Sequence, residues 1–184
     1  MVIVGSARHD ENFRYSDGRA GDQIGSELET QEWYLHPKGW RVLRAKNALA
    51  REKIADDMEY ACNNICIGYD QNENTTLWDC VKDLGFDCRL VNTNCETDCA
   101  RLVRVCVAYA GIETEDFYTA NEASALLATG EFEEYPFAAE NPELLLRGDI
   151  LVTKSKGHTV VVVKQTNQKR EEIDGVFVRV EYGY

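Results

Sequence analysis

The 184-residue chain is short of histidine and proline, with three of each, and has only two methionines. Three histidines leave few candidates for an imidazole that moves protons near neutral pH: His9, His36 and His158. Long apolar runs are absent, and none approaches the roughly 20 residues that a membrane-spanning helix needs. No membrane partner is therefore expected. The opening residues, MVIVGSARHDENFRYSDGRAGDQ, have a short apolar patch after Met1 and then turn polar. An export signal needs a basic start and a longer apolar segment, so the expectation is a chain without one, resident in the cytoplasm. Positive charge is also in deficit, 20 Lys and Arg against 32 Asp and Glu, a net charge of −12. That argues against a nucleic-acid partner, since neutralising phosphates takes a basic face. Any polyanion must be held by local pockets.

What is present suffices for one core of ordinary size. At 44% hydrophobic, residues 1–184 read as a single domain. The first thirty residues read as irregular, with turn clusters in SDGRAGDQIG. From about Val42 to Ile65, Leu43, Ala50, Ile54, Met58, Ala61 and Ile65 share one helical face, with Asn47 as a polar break. A second helix begins near Thr75 and stops by Gly85. A third opens at Thr97-Asp98 and stops at Gly111. A fourth, NEASALLATG, lies between Asn121 and Gly130. Past Pro142 come β-branched runs, GDILVT, HTVVVVKQT and GVFVRVEY, which read as antiparallel strands. Helices followed by a small antiparallel sheet make the class α+β.

Three of the seven cysteines fall in NCETDCARLVRVCVAYAG. Cys99 sits at the N-terminus of the third helix, where unpaired N–H groups and the helix dipole favour a thiolate and lower the thiol pKa from about 8.5. The same N–H groups suit the oxyanion of a tetrahedral intermediate. A cysteine nucleophile needs a base. His9 and His36 lie in irregular polar surroundings, whereas His158 starts an apolar strand. Cysteine on a helix N-terminus facing histidine on a neighbouring strand is the papain-like arrangement. Two other readings stand beside it: Cys99 as a small helix-start residue with His158 ending a turn, or a four-thiolate zinc site from Cys88, Cys95, Cys99 and Cys106, although structural zinc usually uses close C-x₂₋₄-C pairs. Cys62, Cys66, Cys80 and Cys106 flank or lie on apolar stripes and read as packing.

DCARLVRVCVAYAG, followed some fifty residues later by GDILVTKSKGHTVVVV, resembles the papain-like peptidoglycan amidohydrolases of the NlpC and CHAP type. Their pattern is Asp-Cys-Ser-x-Leu-Val, then Gly-Asp with two apolar residues, then Gly-His-x with three. GRAGDQIGSE, WY…GWRVLRA and IGYDQNENTTLW resemble, in the same order, segments of phage and prophage endolysins of clostridia-like Gram-positive gut bacteria. The resemblance implies Cys99 as nucleophile, His158 as general base, bacterial peptidoglycan as partner and no cofactor or metal. It implies cleavage of an amide bond through a thioester, by an N-acetylmuramoyl-L-alanine amidase or a stem-peptide endopeptidase, in a lysin that waits in the cytoplasm before release to the wall. Ala100 and Arg101 depart from the pattern. Arg101 puts a cation near the sulfur, where it would lower the thiol pKa or contact an acidic stem-peptide group.

The third catalytic residue is open between Glu181, opposite His158 if the last strand forms a hairpin with HTVVVVKQT, and Asn167, in the turn after that strand; a dyad is the further option. Ala20–Gln23 reads either as a turn capped by Asp22 or as a cleft loop. In the latter, Gln23 donates to the oxyanion and Asp22 binds a stem-peptide amine. Trp33, Tyr34 and Trp40 read as core or as a sugar-binding groove. Asp70–Asn74 lacks the Gly and Glu of an EF-hand and reads as a polar loop. The rivals to a wall hydrolase are a non-catalytic wall-binding domain on the same fold and a cysteine peptidase or amidase acting on protein.

Overall fold

The computed structural model describes residues 1–166 together with the strand backbones at 169–173 and 176–180. Asn167 and Glu181 lie outside the described residues. In chain order the elements are β1 (Val2–Ala7), β2 (Leu28–Glu32), β3 (Trp40–Ala45), α1 (Ala48–Cys62), β4 (Ile67–Tyr69), α2 (Thr76–Val81), β5 (Cys95–Thr97), α3 (Cys99–Tyr109), α4 (Glu122–Ala128), β6 (Phe132–Glu134), β7 (Ile150–Thr153), β8 (Thr159–Gln165), β9 (Lys169–Ile173) and β10 (Val176–Val180).

Six of these strands form one antiparallel sheet in the order β2-β1-β8-β7-β3-β6. The four valines 160–163 are all buried because both faces of the sheet are covered. Successive side chains point to opposite sides. Val161 and Val163 meet Ile54, Met58, Leu102 and Cys106, brought by α1 and α3. Val160 and Val162 pack with Val4, Trp40, Val42, Leu151 and Leu145 on the other face. Each such burial is worth about 1.5–3 kcal/mol. β1 also needs close approach: a Cβ on Gly5 would stand 2.8 Å from Met58 Cγ on α1.

The structure is mixed α and β with a mostly antiparallel sheet, compatible with α+β, and the helix expectations from residue 75 onward correspond to α2, α3 and α4. Three expectations are corrected. The first thirty residues are not irregular throughout: residues 8–27 are turns and bends, but Val2–Ala7 is an inner strand, paired to β2 and β8. Its Gly5-Ser6 pair breaks the apolar pattern by which a strand is read. The apolar stripe from Val42 is not one helix, because Trp40–Ala45 pairs with β7 and β6. Asn47 is the N-cap of α1, accepting from the Leu49 and Ala50 N–H groups at 2.9 and 3.1 Å. Strands are interleaved with helices rather than gathered at the end. Among the described residues β10 pairs with β9, and β8 has β1 and β7 at its two edges. No helix among the described residues is long and apolar enough to cross a membrane.

The Gly148-Asp149 pair at the start of β7 proves to be structural. Gly148 has φ +89°, and a Cβ there would collide with the Arg51 carbonyl, so the position requires glycine. Asp149 accepts Arg44 Nε at 2.7 Å and Nη2 at 2.8 Å in a buried, two-pronged ion pair that ties β3 to β7.

Candidate active site

Cys99 is aimed by the residues before it. β5 pairs in parallel with β4 and runs directly into Asp98, whose carboxylate accepts the Arg101 N–H at 2.8 Å and caps α3. Asn74 Nδ2 holds the other Asp98 oxygen at 2.9 Å. The Cys99 sulfur, in the first turn of α3, meets the backbone N–H groups of Ala100 and Thr159.

His158 is set by the hairpin joining β7 to β8. The Thr153 N–H donates to the His158 carbonyl at 3.0 Å, and the His158 N–H donates back to the Thr153 hydroxyl at 3.0 Å. Gly157 is tied to Thr119 Oγ1 at 3.0 Å. Thr159, which touches the Cys99 sulfur, directly follows His158, so the contact between α3 and β8 brings Cys99 and His158 into one neighbourhood. His158 Nε2 lies 3.3 Å from the Ser6 hydroxyl on β1, and its Nδ1 has no hydrogen-bond partner among the described residues.

The electrostatics differ from the sequence expectation of a thiolate. Burial pushes the Cys99 thiol well up, with Asp98 and Glu122 adding to the effect, and the two N–H groups only partly offset it. The helix terminus is outweighed because the residue is 7% exposed. His158 is pushed down to about 4, first by burial and then by His36 and Arg8. At neutral pH Cys99 rests as a neutral thiol and His158 as a neutral imidazole.

Glu122, which sequence reasoning passed over, lies beneath this pair. It is fully buried, accepts the Thr159 hydroxyl at 2.7 Å, and leaves Oε2 without a partner among the described residues. Burial pushes its carboxyl up to about 8, so at neutral pH it is mostly protonated. The only sequence signal was an acid in the first turn of a helix, which reads as dipole compensation.

A cleft of about 590 Å³ opens beside His158, lined by Arg8, His9, Tyr15, Gln31, Tyr34, His36, Lys38, Tyr69, Gln71 and Gly157. Tyr34 and Tyr69 are within electrostatic reach of Cys99, which helps burial to push both phenols up.

The remaining candidates lie elsewhere. Asp22 accepts N–H groups from Ile24, Gly25, Ser26 and Glu27, the capped turn. Gln23 donates its side-chain amide to the Ala20 and Gly21 carbonyls. Arg101 pairs with Asp98 at 3.1 Å and Asp116 at 3.3 Å. The aromatic trio is divided: Trp40 is core, Tyr34 lines the His158 cleft, and Trp33 lines a different one with Pro142 and Gln165. Asp70 accepts the Asn72 and Glu73 N–H groups, as a polar loop does.

All seven cysteines are free thiols. Cys88 and Cys106 share the buried Asp57 carboxyl, and Cys95 neighbours Cys80. Among the described residues no three His, Cys, Asp or Glu side chains are placed to hold a metal ion.

Residues 4–169 match the family described as endolysin-like domain. No curated protein and no solved structure matches the chain. The matched span includes β1, β3, α3, β7 and β8, and with them Cys99, His158 and the cleft. The chain belongs to the endolysin-like domain family, a membership that points to a cell-wall lytic role with peptidoglycan as substrate.

Proposed function

We propose that the chain is a cysteine hydrolase of papain-like type that cuts an amide bond in the stem peptide of peptidoglycan, with Cys99 as nucleophile and His158 as general base. The observation that carries this reading is the contact of the Cys99 sulfur with the N–H of Thr159, next to His158 and beside an open cleft. The neutral resting pair implies that deprotonation accompanies attack. As Cys99 Sγ bonds to the carbonyl carbon, its proton passes to His158. The C–N bond then breaks as His158 returns the proton to the leaving amine, and water hydrolyses the thioester. Oxyanion stabilisation falls to the N–H groups in the first turn of α3, because Gln23 uses its amide within its own loop. Ser6 takes the place of the third residue by holding Nε2 and leaving Nδ1 for the thiol. In this reading the lysin stays in the cytoplasm until it is released to the wall.

A second reading, a wall-binding domain without catalysis, is favoured by the burial of Cys99 and the unshared proton of the pair. Purified Gram-positive walls separate the two. Turbidity loss with new amino groups, abolished by Cys99→Ala, supports the hydrolase, and mass spectrometry of the fragments names the bond. Equal release by both proteins removes Cys99 as nucleophile. Co-sedimentation without release by either supports the binding domain.

A further inference from the structure

The cleft beside His158 runs against the charge of the whole chain. Acids outnumber bases 32 to 20 in the sequence, yet among the described residues the cleft is lined by Arg8, Lys38 and the chain's three histidines, and by no Asp or Glu. Three separate segments deliver these groups: the end of β1, the turn before β3 and the hairpin before β8. Arg8 is ion-paired to Glu29 on β2. Lys38 meets no carboxylate among the described residues, and its Nζ donates to the Lys156 carbonyl. Lys154 approaches from the same hairpin, against Gly39.

Basic groups collected on one concave surface of an acidic protein, with Lys38 lacking a carboxylate partner among the described residues, focus a positive field there. His36 is pushed down by burial and by Lys38, and His158 by burial, His36 and Arg8. Tyr34 and Tyr69 supply flat walls, and the volume accommodates a peptide of a few residues.

We propose that this cleft binds a free carboxylate carried by the substrate close to the bond that is cut, with Lys38 and His36 as its principal contacts and Arg8 as support. The substrate class is a short acidic peptide segment. The scissile bond rests on the hydrolase reading above; the binding of the carboxylate does not.

The test uses the Cys99→Ala chain, so that binding is read without turnover. Two synthetic probes are compared by titration calorimetry: the tetrapeptide L-Ala-γ-D-Glu-L-Lys-D-Ala, and the same peptide with every free carboxyl amidated. At low salt the acid is expected to bind about tenfold more tightly than the amide, with the gap shrinking as salt is raised. Lys38→Gln, at an exposed position and so expected to fold, should remove most of the gap, and adding His36→Gln should remove the rest. Equal binding of both peptides overturns the proposal, as does absence of binding by either, or a gap that survives the double variant. Acid-selective binding by a protein whose wild type releases no amines from walls leaves this proposal standing and refutes the hydrolase reading alone.

Discussion

Two buried polar clusters stand at opposite ends of the β7–β8 pair. Where β7 begins, Arg44 and Asp149 satisfy each other completely: both carboxylate oxygens take guanidinium N–H groups, Leu146 N–H adds a third bond at 2.8 Å, and Arg44 Nη2 also reaches the Leu144 carbonyl at 2.9 Å. Where β8 begins, Cys99 and Glu122 are buried and His158 is half-buried at the cleft wall, and the cluster is unfinished. Glu122 Oε2 and His158 Nδ1 lack partners among the described residues. Desolvation acts on both clusters. In the first Arg44 and the Leu146 N–H partly offset it, burial still holding the Asp149 carboxyl above its ordinary value, and the cluster closes the sheet. In the second it leaves neutral groups with bonds unmet inside the fold, the pattern expected of a reactive site under the hydrolase proposal.

The largest contrast is expected from removing the central group of each cluster. Cys99→Ala should cut amine release from walls by at least about 10⁴-fold while leaving the thermal unfolding midpoint close to that of the wild type. Arg44→Ala should do the reverse, destabilising the chain by about 3–5 kcal/mol in urea unfolding because it strands the Asp149 carboxylate. A Cys99→Ala protein that melts far below the wild type would place the sulfur among the structural groups.

The pH dependence should separate the open cluster next. Glu122 has its folded pKa raised from 4.5 to about 8, so between those values the folded state binds the extra proton and stability falls as pH rises. Asp57 and Glu96, each raised to about 7, act in the same direction. His158, lowered from 6.5 to about 4, acts oppositely: stability is lost as pH falls through that window. Glu122→Gln should flatten the decline toward pH 8, and His158→Gln the loss below pH 6.5, in denaturant titrations run across pH. Parallel curves for Glu122→Gln and wild type would show that the carboxyl does not titrate in the folded protein.

The smallest effect is expected at Ser6. Ser6→Ala removes one neutral hydrogen bond to the imidazole, worth about 0.5–1.5 kcal/mol, and should lower kcat by tenfold or less with KM little changed. A loss comparable to that of Cys99→Ala would make Ser6 a group that touches the reacting atoms.

The parts legible in the sequence were those with a local cause. α3 could be read from its apolar spacing, its Asp98 cap and Gly111, and β8 from its run of valines. Cys99 and His158 were singled out because one is the first residue of such an element and the other directly precedes one. β1 and β3 were not legible, since Gly5 and Ser6 interrupt the one and the stripe of α1 overran the other. Ser6 and Glu122 were invisible as site residues: one joins His158 across 152 positions and the other acts through Thr159. Spacing of three, four or two residues carries no information about such partners.

By itself, the sequence determined the chemical types on hand, the net acidity, the helix that starts at Cys99 and the strand that starts after His158, because hydrophobic periodicity and capping act over a few residues. Only the tertiary structure decided which of three histidines stands near the sulfur, that all three share one cleft, and that Cys99 rests as a buried thiol rather than a thiolate. Burial and distant charges set those properties, and both exist only once β1, α3, α4 and β8 have packed together.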